Sequence, residues 1–185
     1  MNWAEIAGSL LGIANVVLLV RRSVWNFPVA MAMVSLIGMV LADAKLYAEA
    51  GLQAFFFVVN AWGWHLWTQA QGEAGEVPVG WMSWPARGAW LAATAALSLS
   101  LGWAMHRFTD AALPFADSAV TGASIAAQLL LSLRRIENWA VWVAIDVVSV
   151  GLYLNRGLFL LAALYVAFGV LSLVGLREWM RAARP

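Results

Sequence analysis

The chain has 185 residues, 63% of them hydrophobic and 11% charged, against about 45–50% and about 25% in a water-soluble domain. A net charge of +1, with eleven basic residues scattered between apolar stretches rather than clustered, excludes a nucleic-acid partner. The absence of Cys excludes a disulfide framework, a thiolate metal site and a cysteine nucleophile.

A helix that crosses about 30 Å of hydrocarbon needs roughly 20 residues, fewer where flanking side chains reach the interface. In chain order the candidate spans are residues 3–20, 25–42, 50–67, 88–105, 117–133, 138–154 and 158–176. The first lacks a basic start and a small-residue cleavage site, so it reads as a retained helix and not as a signal peptide. Between the third and fourth spans lies the one real linker, residues 68–87, where Gly, Pro, Gln and Glu gather. The expected fold is an all-α integral membrane protein: one transmembrane domain of seven helices in a lipid bilayer.

Basic residues in short loops stay cytoplasmic. Lys45, Arg107 and Arg156 share one side, whereas Arg21, Arg22, Arg87, Arg134, Arg135, Arg177, Arg181 and Arg184 share the other. This places the N-terminus outside and the C-terminus in the cytoplasm. Sliding the chain along itself until Arg21 and Arg22 fall on Arg134 and Arg135 also brings Gly38 onto Gly151. An offset shorter by one puts Gly63 on Gly175 and Trp67 on Trp179. Two parallel three-helix units, residues 1–67 and 117–179, joined by a linker helix at 88–105, follow from this matching. In transporters built from such units the solute site sits near the midplane between them.

Polar groups in hydrocarbon are costly and so face the bundle interior, where they hold helices together or line a solute path. Helical spacing puts Gln53, Phe57, Asn60, Trp64 and Trp67 on one face of the third span. The fifth span presents Asp117, Thr121, Ser124 and Gln128, the sixth Trp139, Trp142, Asp146, Ser149 and Tyr153, and the seventh Tyr165, Gly169, Ser172, Leu176 and Trp179. Asp146 lies about 12 Å into its helix at about 1.5 Å per residue, near mid-bilayer, with no Lys or Arg at comparable depth. Its partner is a cationic solute, a proton, a water-filled cavity or a neighbouring helix. Trp3, Trp25, Trp67, Trp90, Trp103 and Trp179 sit near span ends, where an interfacial belt places them; Trp142 lies a turn deeper and suits packing or ligand contact.

Other chemistry is lacking. The single Lys, Lys45, follows Ala44, so there is no phosphate-binding loop and no ATPase. His65 and His106 lack zinc spacing, and no Ser stands in a nucleophile elbow. Neither a cofactor nor a metal is expected. Gly8 and Gly12 form a GxxxG that packs against a helix of this chain or of a second copy.

The third and sixth spans carry a more specific signature: Lys45-Leu46-Tyr47, Gln53 with Phe55-Phe56-Phe57, Asn60, Gly63-Trp64 and Trp67, then Glu137-Asn138-Trp139, Trp142 and Ser149. With Leu113-Pro114-Phe115, Asp117-Ser118, Gly157 and Tyr165 in the same order, the chain resembles the PnuC family of vitamin transporters from about Glu5 to Trp179. The resemblance implies a bundle of three plus one plus three helices, related to the sugar-transporting SWEET proteins, in the bacterial inner membrane. It implies uptake of nicotinamide riboside by facilitated diffusion with trapping by an intracellular kinase, other members carrying thiamine, riboflavin or deoxynucleosides. Matching positions suggest Gln53, Asn60, Trp142, Ser149 and Tyr165 as the solute-lining set. Where the family has Asn, this chain has Asp146, and further family Asn positions are Met33 and Val174. Asp146 fits the fixed positive ring of nicotinamide riboside or thiamine and disfavours neutral riboflavin. A proton-coupled carrier with Asp146 as the proton site, and an intramembrane enzyme using Asp146 or His65, are the alternative readings.

Overall fold

The computed structural model describes residues 3–43, 47–109, 113–155 and 157–183. Lys45, Leu46, Arg156 and Arg184, which enter the loop charges or the motif above, lie outside the described residues. Seven helices run through the rest: α1 (Trp3–Val20), α2 (Asn26–Asp43), α3 (Tyr47–Ala74), α4 (Trp84–Phe108), α5 (Pro114–Ser132), α6 (Glu137–Asn155) and α7 (Phe159–Ala182). Four of them, α2, α4, α6 and α7, are long and apolar enough by composition alone to cross a membrane. In α3 and α5 the hydropathy is diluted by Asn60 and Gln128, which are buried inside the bundle. The protein is an all-α integral membrane protein.

Helix α3 runs past the expected span end at Trp67 because the first part of the supposed linker, residues 68–74, holds Gln, Ala and Glu, good helix formers. It stops at Gly75, whose φ of 78° is the left-handed geometry that glycine adopts without strain. Helix α4 starts at Trp84 under the Ser83 side chain, which accepts from the Ala86 N–H, with a proline in the first turn.

Six helices form a closed ring. Neighbours in sequence pack as α1 on α2, α2 on α3, α5 on α6 and α6 on α7, and the ring closes through α1 on α7 and α3 on α5. Helix α4 reaches Glu137 at the start of α6 through its Arg87, and it packs along α5. The approach is close because Gly102 leaves no room for a Cβ beside the Phe115 ring, nor Gly122 beside the Ser98 hydroxyl.

The same contacts recur in the two halves at the shorter of the two offsets. Trp67 Nε1 donates to the Leu131 carbonyl and Trp179 Nε1 to the Leu19 carbonyl, both at 3.2 Å. The amide of Asn26 donates to the Ser23 carbonyl, and that of Asn138 to the Arg135 carbonyl. Arg22 and Arg134 both have positive φ, 55° and 60°. The longer offset, which matched the two Arg pairs residue for residue, is therefore off by one: Arg22 corresponds to Arg134, and the Gly38–Gly151 match falls away.

Trp67 and Trp179 are 0% exposed, so neither belongs to the interfacial belt. Trp67 meets Phe27 and Trp179 meets Trp139 edgewise, ring centroids 5.1 and 5.5 Å apart, and the two indoles tilt against each other at 5.7 Å, in a buried cluster with Leu19, Leu131, Ile136 and Val77. Trp25 and Trp103 are exposed as a belt requires; nothing is described of the Trp3 side chain.

Residues 75–83 lie across this cluster as a strap. Arg22 donates to the Val77 carbonyl and pairs with Glu76, both at 2.9 Å. Gly80 exchanges backbone hydrogen bonds with Arg134 and Ile136 at 3.1 Å. One carboxylate oxygen of Glu137 accepts from the Met82 N–H at 2.9 Å and from Arg87 Nε at 2.8 Å. The Glu137 side chain is largely buried, so these charge-assisted bonds are worth about 1.5–3 kcal/mol. Glu137→Ala is expected to lower the thermal unfolding midpoint in detergent accordingly. Unfolding at the wild-type midpoint would mean that the strap adds no stability.

Candidate functional site

Inside the ring is a cavity of about 530 Å³, within the range of about 300–1,000 Å³ usual for small-molecule sites. Every ring helix contributes to its wall and α4 does not.

Five of the six expected site residues, Gln53, Asn60, Trp142, Asp146 and Tyr165, line this cavity. Ser149 is buried but does not line it; the α6 wall is made by Trp139, Trp142, Ile145, Asp146 and Tyr153. On α3 the inward stripe is Gln53, Phe56, Asn60, Gly63 and Trp67. Phe57 and Trp64, expected on that face, are exposed instead. Of the two departures from the family pattern besides Asp146, Met33 lies on the wall and Val174 is exposed away from it. On α5, Ser124 and Gln128 reach the wall, while Asp117 and Thr121 do not.

Two buried hydrogen bonds define the polar part of the wall. Gln128 Nε2 donates to Asn60 Oδ1 at 3.1 Å, tying α5 to α3, and the Asn60 amide in turn donates to the Phe56 carbonyl at 2.8 Å. Ser172 Oγ donates to Asp146 Oδ2 at 3.0 Å, tying α7 to α6. Asp146 is 5% exposed and, among the described residues, is the single charged side chain on the wall. A carboxylate in so apolar a setting is costly unless it is paired and hydrogen-bonded, and no described Lys or Arg lines the cavity.

The rest of the wall is aromatic. The Tyr165 ring lies 5.2 Å from Tyr153 and 5.8 Å, edge to face, from Phe168; Phe56 and Trp142 add further rings. Such faces stack on a planar solute, and more strongly on a cationic one. Gly8 and Gly12 also line the cavity. A Cβ on Gly12 would stand 3.1 Å from the Phe168 ring and 3.5 Å from the Met33 sulfur, so the GxxxG packs within this chain, where α1 meets α2 and α7.

Sequence reasoning passed over Asn15, Phe56 and Phe168. Asn15 lines the cavity, and its Oδ1 is buried without a hydrogen-bond partner among the described residues. A lone Asn in the first apolar span is itself a signal of an inward face.

The family profile described as "Nicotinamide mononucleotide transporter" matches residues 2–181. The chain belongs to this family. It is 28% identical to the nicotinamide riboside transporter PnuC of Escherichia coli, over all of this chain and 87% of that protein. It is 30% identical to the riboflavin/roseoflavin transporter RibM of Streptomyces davaonensis, over 98% of this chain and 86% of that protein. Among solved structures, the crystal structure of the vitamin B3 transporter PnuC superposes with a TM-score of 0.79 at 26% identity, covering 98% of this chain and 82% of that one. The fold is thus that of a member of a transporter family.

Proposed function

We propose that this protein carries nicotinamide riboside across the bacterial inner membrane by facilitated diffusion, with intracellular phosphorylation trapping the solute. The observation that carries the reading is Asp146, among the described residues the one charge on the wall of a cavity otherwise built from rings, aliphatic side chains and neutral hydrogen-bonding groups. It offsets the fixed positive charge of the nicotinamide ring, Trp142 and Tyr165 flank that ring, and Gln53 and Asn60 meet the ribose hydroxyls. The two named nicotinamide riboside and vitamin B3 carriers among its relatives support the same cargo. RibM makes riboflavin the comparison compound, but a neutral flavin leaves the buried carboxylate without a counter-charge.

Seven described Arg residues lie on the strap side, which supports an N-terminus outside and a C-terminus in the cytoplasm. Residues 1–67 and 117–179 act as two units that rock about the cavity, and α4 restores the orientation of the second.

Proteoliposomes holding the purified chain, with a potassium diffusion potential of about 100 mV, inside negative, test the proposal. A monocation moving alone gains about 2.3 kcal/mol, or about fiftyfold accumulation. Labelled nicotinamide riboside should reach that excess and lose it when an ionophore collapses the potential. Equilibration without accumulation would overturn uncoupled cation transport, and no uptake would overturn the cargo.

A further inference from the structure

The contacts repeated between the two halves give the molecule two equivalent corners at the strap end, and they are finished differently. One is where α5 ends beside α3, around Leu133, Arg134 and the stretch Leu66 to Ala70. The other is where α1 ends beside α7, around Arg21, Arg22 and the stretch Glu178 to Ala182. The strap covers the first: Gly80 pairs with the backbone on both sides of Arg135, and Ala70 is buried. At the second, the strap reaches Arg22 alone among the described lining residues, and Ala182, the counterpart of Ala70, is exposed.

That second corner is a pocket of about 380 Å³ lined by Val20, Arg21, Arg22, Glu178, Arg181 and Ala182. It holds three guanidinium groups against one carboxylate. The fold does not impose this charge, because the counterparts of Arg21, Glu178 and Arg181 in the other half are Leu133, Leu66 and Gln69. Arg22 is held in place by Val77 and Glu76. Among the described residues Arg181 pairs with the exposed Glu178 one turn away, at 2.8 Å, a pair worth little in water. The Arg21 guanidinium has no ion-pair partner among the described residues.

We infer that this corner is a binding site for the phosphodiester headgroup of an anionic lipid, which covers it as the strap covers its counterpart. The pocket lies at the end of two membrane-spanning helices, so a headgroup reaches it while its acyl chains stay beside the apolar surfaces of α1 and α7. The planar forks of Arg21 and Arg181 suit two phosphate oxygens at once, and Val20 supplies an apolar floor. Basic pockets between transmembrane helices at a membrane surface take anionic headgroups on this physical basis.

Native mass spectrometry of the full chain, titrated with phosphatidylglycerol or phosphatidylcholine, tests the assignment. The wild type should retain one phosphatidylglycerol in preference to phosphatidylcholine. Arg21→Gln with Arg181→Gln should bind it roughly thirtyfold more weakly. Arg21→Lys with Arg181→Lys, which keeps the charge, should stay within a few-fold, and Arg135→Gln, at the strapped corner, should match the wild type. The Gln pair should also keep the wild-type elution volume and helix content. Equal retention of the two lipids, or equal loss in Arg135→Gln, would overturn the site. Displacement of the lipid by millimolar inorganic phosphate would overturn the lipid as occupant in favour of a free phosphate.

Discussion

Asp146→Asn should weaken binding of nicotinamide riboside by about a hundredfold and leave any affinity for riboflavin unchanged. A cation and a carboxylate about 6 Å apart, at an effective dielectric of about 20, attract by about 3 kcal/mol, which is about two decades in affinity. Asn fits the same space, and its carbonyl can still accept the Ser172 hydroxyl that now reaches Asp146 at 3.0 Å. The substitution thus removes charge and little else. Isothermal titration of both proteins with both compounds reads the difference. Equal affinity for nicotinamide riboside in the two would mean that Asp146 serves to hold α6 to α7 and does not face the cationic ring.

The second large effect concerns two glycines. A Cβ at Gly175 would run into the Trp139 indole, and one at Gly63 would stand 2.6 Å from the Phe27 ring and 2.7 Å from Ser132 Oγ. Both rings are fully buried in the cluster beneath the strap, where neither can swing aside. Gly175→Ala and Gly63→Ala should each cost about 1–3 kcal/mol through overpacking. Gly151→Ala, in α6 with nothing within 4 Å of the new methyl, should instead stabilise by about 0.5–1 kcal/mol because it restores helix propensity. Thermal unfolding in detergent separates the two signs. If Gly175→Ala behaved like Gly151→Ala, the close approach of α7 to α6 would not be a constraint on the fold.

The helices themselves were legible because continuous apolar runs broken by charged turns have few other readings. Polar periodicity also found most of the wall, since Gln53, Asn60, Trp142, Asp146 and Tyr165 are the groups that hydrocarbon would reject. Aromatic residues were read less well. Phe56 and Phe57 are chemically alike, and a step of one residue turns a helix by about 100°, so spacing from Gln53 alone did not decide which points inward. Trp67 and Trp179 lie near span ends, the place for a belt, and yet are 0% exposed, because the Leu131 and Leu19 carbonyls accept their indole hydrogens inside the bundle. Ser149 shares the inward arc of Asp146 and is buried, yet the α6 wall is made by Trp139, Trp142, Ile145, Asp146 and Tyr153. The register of the internal match was mistaken where identical Arg pairs invited the longer offset. Backbone geometry decides for the shorter, since only the second Arg of the first pair and the first of the second have positive φ.

Asn60 and Ser172 are counterparts in the two halves, but their hydrogen bonds run in opposite senses around the ring. Asn60 is met from α5 by Gln128, whereas Ser172 turns to α6 and Asp146; the positions corresponding to Gln128 and Asp146 are the apolar Val16 and Val34. A cavity framed by repeated contacts thus has an amide pole and a carboxylate pole. Counterparts in parallel units share one depth, so the two poles differ across the membrane plane, and a solute with a charged ring at one end and hydroxyls at the other has one favoured way to lie between them.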